Sequence, residues 1–337
     1  MNLQDLPKVD LHLHLDCSLS FDVVHQIDPT ISLEEYKRSF ITPGKCVNLK
    51  DFLTRAVKGF ALMQTKEQIA LVVHDLFKQL LADNTLYAEI RFAPHLHLEQ
   101  GLTPYEVVAA AEAAMAEAVQ QTGIEARLIL CTLRHFSAEQ SMETVKLVEQ
   151  FSGSYVAGFD IAGDEAGHPI DNHIAAFQYA QQKNIFITAH AGEAKGAESV
   201  WEVLKNFGPS RIGHGVRSIE DSQLVQHLKQ HQIHLELCPT CNVSIDIYNT
   251  YRDHPIDKLY KSGVSLNVNT DNRTVTPITL TQEYEKLQQT FGWKIADFYQ
   301  CNVNALKAAF IPQALKEKLI EQLTSAYRTG LGDGREF

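Results

Sequence analysis

Two histidines separated by one leucine, His12 and His14, close the first strand-like run of the chain, residues 8–14. Alternation along a β-strand sends residues i and i+2 to the same face, about 6 to 7 Å apart at Cα. Two imidazoles so placed can bind one metal ion, which takes nitrogen ligands at about 2.0–2.1 Å. The pair alone carries little, because the chain holds 15 histidines and strand histidines are often merely packed or solvated. Further groups stand at the ends of later strand-like runs: His190 with Glu193, then His214, then Asp271. His12, His14, His190 and Asp271 offer three nitrogens and one carboxylate oxygen, a set suited to a catalytic zinc with one position open for water. Iron, cobalt or manganese also fits such a mixed set. A metal there acidifies bound water. Glu193, beside it, would give or take a proton, and His214 would hold the water. Each residue also has a structural reading: His190 as a packed core histidine, Glu193 as a carboxylate at a helix N-terminus, Asp271 as an N-cap. Only their placement together points to a hydrolytic site.

The elements that must position these groups alternate in type. Apolar β-rich runs fall at 8–14, 85–92, 126–133, 155–161, 185–189, 211–213, 234–237 and 264–269, with helical patterns between them. The clearest helix runs from 104 to 121, with Thr103 as cap, Pro104 at the first position and an alanine-rich body. Helical patterns also cover 171–183, 197–206 and 219–231. Strands alternating with helices predict a parallel sheet. About eight such units without a linker-like stretch predict a closed (β/α)8 TIM barrel, an open doubly wound sheet being the alternative. No G-x-G-x-x-G follows the first strand, so the usual dinucleotide mark of the open sheet is missing. In a barrel, strand C-termini share one mouth. There the sequence places His12, His14 and Asp16, then Arg91, Arg134-His135, Asp160 to Glu165, His190 to Glu193, His214, Cys238 to Cys241, and Asp271-Asn272. The interval 15–84 is too long for a βα loop. It carries helical patterns at 49–63 and 66–82, and residues of about 17–65 are expected to form a helical cap within a single domain spanning 1–337. Residues 330–337 are expected to form a loose tail.

With a formal net charge of −11, a broad basic face for nucleic acid is not expected. A neutral or cationic small molecule suits that field better. No window reaches the roughly 18 unbroken apolar residues of a membrane helix. The first residues lack a basic region followed by an apolar stretch. Six scattered cysteines form no disulfide framework. These features predict a cytoplasmic protein, not bound to membrane or nucleic acid. They specify no oligomeric state.

Residues 8–16 (KVDLHLHLD), 160–165 (DIAGDE), 188–193 (TAHAGE), 211–215 (RIGHG) and 269–272 (NTDN) resemble, in order, the successive motifs of adenosine deaminases. Residues 87–95 and 131–135 resemble further segments of that family. The resemblance implies a zinc-dependent barrel, one ion per chain, with His12, His14, His190 and Asp271 as ligands. It implies that Glu193 protonates purine N1 while water attacks C6, and that His214 orients and helps deprotonate that water. It also implies a Gly163 N–H contact to N3 and an Asp16 contact to the ribose 5′-hydroxyl of a small-molecule purine nucleoside. Adenosine or 2′-deoxyadenosine would become the inosine form, with release of ammonia. Deamination of adenine, or of an adenosine altered at the 5′ position, is the alternative. A relative acting only in binding would have lost a ligand, the proton donor or the water-orienting histidine, and none is missing.

Two positions depart from the family pattern. Cys17 stands where glycine is usual, and its side chain would crowd the ribose end of the pocket. Asn272 stands where a second aspartate is found in animal enzymes; its NH2 can still donate to purine N7. The Cys238-Pro239-Thr240-Cys241 segment, with Glu236 before it, partly mimics the zinc signature of cytidine-type deaminases. Its spacing is wrong, and a structural role beside the pocket is expected instead.

Overall fold

The computed structural model describes residues 2–331. Its eight strands are β1 (Lys8–His14), β2 (Thr85–Phe92), β3 (Glu125–Leu133), β4 (Val156–Ala162), β5 (Phe186–Ala191), β6 (Arg211–His214), β7 (His234–Leu237) and β8 (Leu266–Val268). They pair in parallel in chain order, β1 beside β2 through to β8. An isolated parallel bridge, Leu13 to Asp271, joins the two ends. The His14 N–H donates to the Asp271 carbonyl (2.7 Å) and the Asp271 N–H to the His12 carbonyl (2.9 Å). The expected (β/α)8 barrel is therefore present, closed through the backbones of three candidate site residues, His12, His14 and Asp271.

The first helices are α1 (Phe21–Ile27), α2 (Leu33–Ser39), α3 (Leu49–Phe60) and α4 (Lys66–Ala82), all between β1 and β2. Around the barrel follow α5 (Pro104–Thr122), α6 (Ala138–Gln150), α7 (Ile174–Gln182), α8 (Ala197–Phe207), α9 (Ser222–Gln230), α10 (Pro239–Ser244) and α11 (Ile256–Ser262). Helices α12 (Leu280–Phe291), α13 (Ile295–Ala308) and α14 (Gln313–Leu331) complete the chain. Helix α5 begins as its sequence predicts: the Glu106 N–H donates to Thr103 Oγ1 (3.3 Å) and the Thr103 N–H to Glu106 Oε2 (3.1 Å). Gly123, at φ +73°, ends it. Helices α6 and α10–α14 lie outside the helical stretches picked out from sequence. The expected tail falls outside the described residues except for Gly330 and Leu331, which belong to α14.

The core is one continuous apolar layer between strands and helices, including Val9, Ile90, Leu128, Phe159, Ile212 and Leu235. A second cluster gathers Cys17, Leu49, Phe52, Cys238, Cys241 and Val275 above the barrel mouth. Helix α3 approaches the chain after β1 closely. A Cβ on Gly59 would stand 1.8 Å from the Asp16 carbonyl oxygen, so only glycine permits this contact. No helix among the described residues is long and apolar enough to cross a membrane.

Candidate metal and active site

Four of the residues expected at the barrel mouth converge there. One ligand atom each from His12, His190, His214 and Asp271 lies within 4.8 Å of all the others. His14 joins this group through His190 (Nε2 to Nε2, 3.2 Å) and Asp271 (Nε2 to Oδ1, 3.5 Å). The imidazoles of His12 and His14 do share a face, their centroids 5.4 Å apart. His214 therefore stands in the same tight group as three of the four expected ligands, with His14 at its edge.

Backbone geometry at the strand ends makes this convergence possible. His214 and Asp271 adopt φ +58° and +64°, values that residues other than glycine seldom take. Such strain persists where surrounding structure holds it, and here it turns both side chains inward. Gly213 has no side chain for a spatial reason: a Cβ there would come within 3.0 Å of His12 Cε1.

Carboxylates beneath the site fix the ring orientations. His12 Nδ1 lies 2.9 Å from Glu236 Oε2, and His190 Nδ1 lies 3.0 Å from Asp160 Oδ2. Burial would raise the Glu236 carboxyl, but Arg91 and Arg211 outweigh it and hold it at about 2. Burial likewise opposes ionisation of Asp160, and the neighbouring His190 and Arg91 bring it to about 2. Both are therefore charged acceptors, so each Nδ1 is the donor and each Nε2 presents a lone pair to the site. His12 Nε2 lies 3.3 Å from Asp271 Oδ1 yet makes no hydrogen bond among the described residues. Burial first, then the nearby cations, push the His12 imidazole well below its ordinary range, which keeps it neutral. A buried, neutral, unpartnered nitrogen facing a carboxylate and further imidazoles fits a divalent metal.

Glu236 is a residue that sequence reading treated only as part of a misleading motif. It accepts from His12, Arg91 (2.7 Å) and Thr188 (2.9 Å), and lies 2.8 Å from Arg211 Nε. Glu236→Leu leaves two buried guanidiniums short of a counter-charge, which should cost about 3–5 kcal/mol. Denaturant unfolding of the variant and its parent measures this loss, and an unchanged midpoint would contradict the role given to Glu236.

Glu193 lies beside the cluster, Oε1 3.3 Å from His214 Nε2. Burial, together with Asp271 and Glu165, drives its carboxyl well above the ordinary range and keeps it protonated. Glu165 holds the loop: its carboxylate accepts from the N–H groups of Gly192 (2.7 Å), Glu193 (3.1 Å) and Lys195 (2.8 Å). Two further residues were missed. Asn242 on α10 donates to Glu193 Oε1 (3.1 Å) and contacts His214 Nδ1 (3.2 Å), and His254 lies 3.2 Å from Asn242 Oδ1. Neither carries a sequence signal of its own beyond proximity to β7 and β8.

A narrow cavity opens over these groups, its walls including His14, Cys17, Phe52, Gly163, Glu193 and Asn272. Among the described residues, larger surface clefts, such as that beside Lys229, Tyr260 and Asn304, hold no comparable cluster. Gly163 adopts φ +96°. Asn272 donates one amide hydrogen to Asp271 Oδ2 (2.9 Å), and its oxygen accepts from the Thr276 N–H (2.6 Å). Asp16 differs from the other predicted residues: Cys17, not Asp16, forms the cavity wall at this end. Burial is the main cause that raises the Asp16 carboxyl to about 6, partly offset by the Cys17 thiol hydrogen bonded to it. Cys241 also faces the cavity and its thiol hydrogen-bonds Asp271, so the Cys238–Cys241 segment reaches the site itself.

Comparisons with known proteins show the family and the fold. The family model described as adenosine deaminase matches residues 7–326. An adenosine deaminase of Clostridium perfringens is 34% identical over 326 residues, covering 95% of this chain and 98% of that protein. One from Clostridium acetobutylicum is 35% identical over 334 residues, covering 96% of this chain and 100% of that protein. Among solved structures, an adenine deaminase from Arthrobacter aurescens superposes with a TM-score of 0.87 at 24% identity, covering 95% of this chain and 98% of that one. A Burkholderia ambifaria amidohydrolase with bound zinc gives a TM-score of 0.88 at 22% identity, covering 96% and 91%. These two structures share the fold. Because the family model spans nearly the whole chain and the bacterial relatives match it end to end, the chain belongs to the adenosine deaminase family.

Proposed function

We propose that this protein deaminates adenosine and 2′-deoxyadenosine by hydrolysis, giving inosine or 2′-deoxyinosine and ammonia. The observation that carries the reading is a buried Glu193 beside His214, next to a buried group of imidazoles and a carboxylate at one barrel mouth, with burial favouring the protonated form of its carboxyl. His12, His14, His190 and Asp271 would hold zinc, with His214 bordering the same position. The metal, when bound, would supply the Lewis acidity that activates water for attack at purine C6. Glu193 donates its proton to N1 and so removes the charge that attack places on the ring. His214 orients the water. The Gly163 N–H faces N3, and the second amide hydrogen of Asn272 is free of its Asp271 bond and directed to N7. Residues of about 17–65 form a helical cap on a single-domain enzyme, with α3 over the cavity.

Purified, zinc-loaded protein given adenosine should release ammonia and produce the absorbance change of inosine. Absence of turnover with zinc, iron, cobalt or manganese would refute the assignment. Adenine and 5′-substituted adenosines are the competing substrates, and their kcat/KM values decide between the readings. Asp16 would accept a hydrogen bond from the ribose 5′-hydroxyl, and its carboxylate would repel a 5′-phosphate. Losing a hydrogen bond to a charged group costs about 1.5–3 kcal/mol. Asp16→Ala should therefore lower kcat/KM for adenosine about 10- to 100-fold, and leave the weaker turnover of free adenine unchanged. Equal losses on both substrates would remove Asp16 from ribose recognition.

A further inference from the structure

Asn242 does not reach the cavity wall, yet it joins two residues that do. Its Nδ2 lies 3.1 Å from Glu193 Oε1 and 3.2 Å from His214 Nδ1, and its Oδ1 lies 3.2 Å from His254 Nε2. The four side chains are buried. Which way round the amide sits is fixed from its far end. His254 Nδ1 accepts the backbone N–H of Ile256 (3.2 Å), so that nitrogen carries no proton. Burial holds the His254 imidazole at about 3, so it is neutral and its proton is on Nε2. The Tyr248 ring packs edge-on against it, with centroids 5.2 Å apart. His254 Nε2–H thus donates to Asn242 Oδ1, and the amide NH2 must face Glu193 and His214.

Two consequences follow at the reacting groups. His214 Nδ1 accepts from Asn242, so that nitrogen carries no proton and the ring's proton is on Nε2, the nitrogen facing the cluster. Glu193 Oε1 accepts from Asn242 and faces His214 Nε2, so its acidic proton is on Oε2. Resting on the deaminase reading above, we propose that Asn242, oriented by His254, is a positioning residue for the proton transfer. It commits the Glu193 proton to the oxygen offered to N1. It also makes His214 a hydrogen-bond donor in the resting site, so His214 orients the attacking water before it can accept any proton.

The test separates this arrangement from a purely structural one. In metal-free protein labelled with 15N-histidine, NMR should find His214 as the Nε2–H tautomer, and Asn242→Ala should release it to a mixture. A wild-type Nδ1–H tautomer, or no change in the variant, overturns the proposal whatever substrate the protein takes. In the zinc-loaded enzyme, Asn242→Ala should lower kcat about 100-fold, as loss of one preorganised donor does, with KM within about threefold. The isosteric Asn242→Asp retains the acceptor for His254 but offers no donor, so it should lose as much and guards against a misfolded alanine variant. His254→Leu should cost about tenfold in kcat through loss of orientation. His254→Gln, whose amide can donate to Asn242, should recover most of that. Added to Asn242→Ala, His254→Leu should cost nothing more. Additive losses, wild-type rates, or losses that follow only metal content or thermal stability would each refute the relay. A wild-type enzyme inert toward adenosine would instead refute the deaminase reading and leave the tautomer result to decide the geometry.

Discussion

Glu193→Gln should lower kcat for adenosine by about 10²–10⁴-fold, the range for loss of a general acid, while zinc content, KM and thermal stability stay close to the parent. The substitution preserves shape. A glutamine oxygen in the place of Oε1 can still accept from Asn242, at the 3.1 Å the carboxyl now shows, and face His214. Its amide nitrogen can still donate a hydrogen bond to N1, so binding survives. What it cannot do is give up a proton during attack at C6. Glutamate suits this role because of its surroundings. Burial, then Asp271 and Glu165, push its carboxyl well above the ordinary range, which favours the protonated form. Steady-state kinetics with metal analysis checks this, and near-wild-type turnover would remove Glu193 from the chemistry.

Removal of the metal should have an effect at least as large. Chelation should bring adenosine turnover down by roughly 10³-fold or more, because the water would keep its bulk pKa of about 15.7, and stoichiometric zinc should restore it. His12→Ala should remain inactive in added zinc and should copurify with little metal. The reason lies in the geometry around His12. Its Nδ1 is tied to Glu236, and its Nε2, buried and 3.3 Å from Asp271 Oδ1, has no hydrogen-bond partner among the described residues. Metal analysis by mass spectrometry, paired with activity, measures both. Full activity in the chelated protein would show that the cluster is structural.

Burial energetics connect these predictions. A barrel interior that holds Arg91, Arg211, Glu89, Asp160 and Glu236 fully buried is stable only because each charge meets another. The same ion-pair layer keeps Glu236 and Asp160 ionised, and those two carboxylates set which nitrogen of His12 and of His190 faces the mouth. Stability and ligand orientation therefore share the same atoms, so Glu236→Leu should weaken both.

Much of the architecture was legible because local chemistry and global fold agree. Strand and helix periods alternate cleanly, the Thr103–Glu106 cap marks α5, and i, i+2 spacing sends His12 and His14 to one face. The order of strand ends was enough to nominate His190, Glu193, His214 and Asp271, since a parallel barrel gathers them at one mouth. Helices α12–α14 were not picked out from local pattern.

Residue types and their order therefore supply the inventory: the fold class, the imidazole and carboxylate set, and the proton donor. How those groups face one another is a property of the folded chain alone. The left-handed turns at His214 and Asp271, the Glu236 and Asp160 acceptors below the ligands, and the His254–Asn242 pair behind Glu193 all depend on residues distant in sequence. The place of Cys17 on the cavity wall, and the close passage of Gly59 on α3 beside the Asp16 carbonyl, were settled in the same way. Residue type fixes which protons and lone pairs a side chain can offer, whereas tautomer, protonation state and direction are fixed by its buried neighbours.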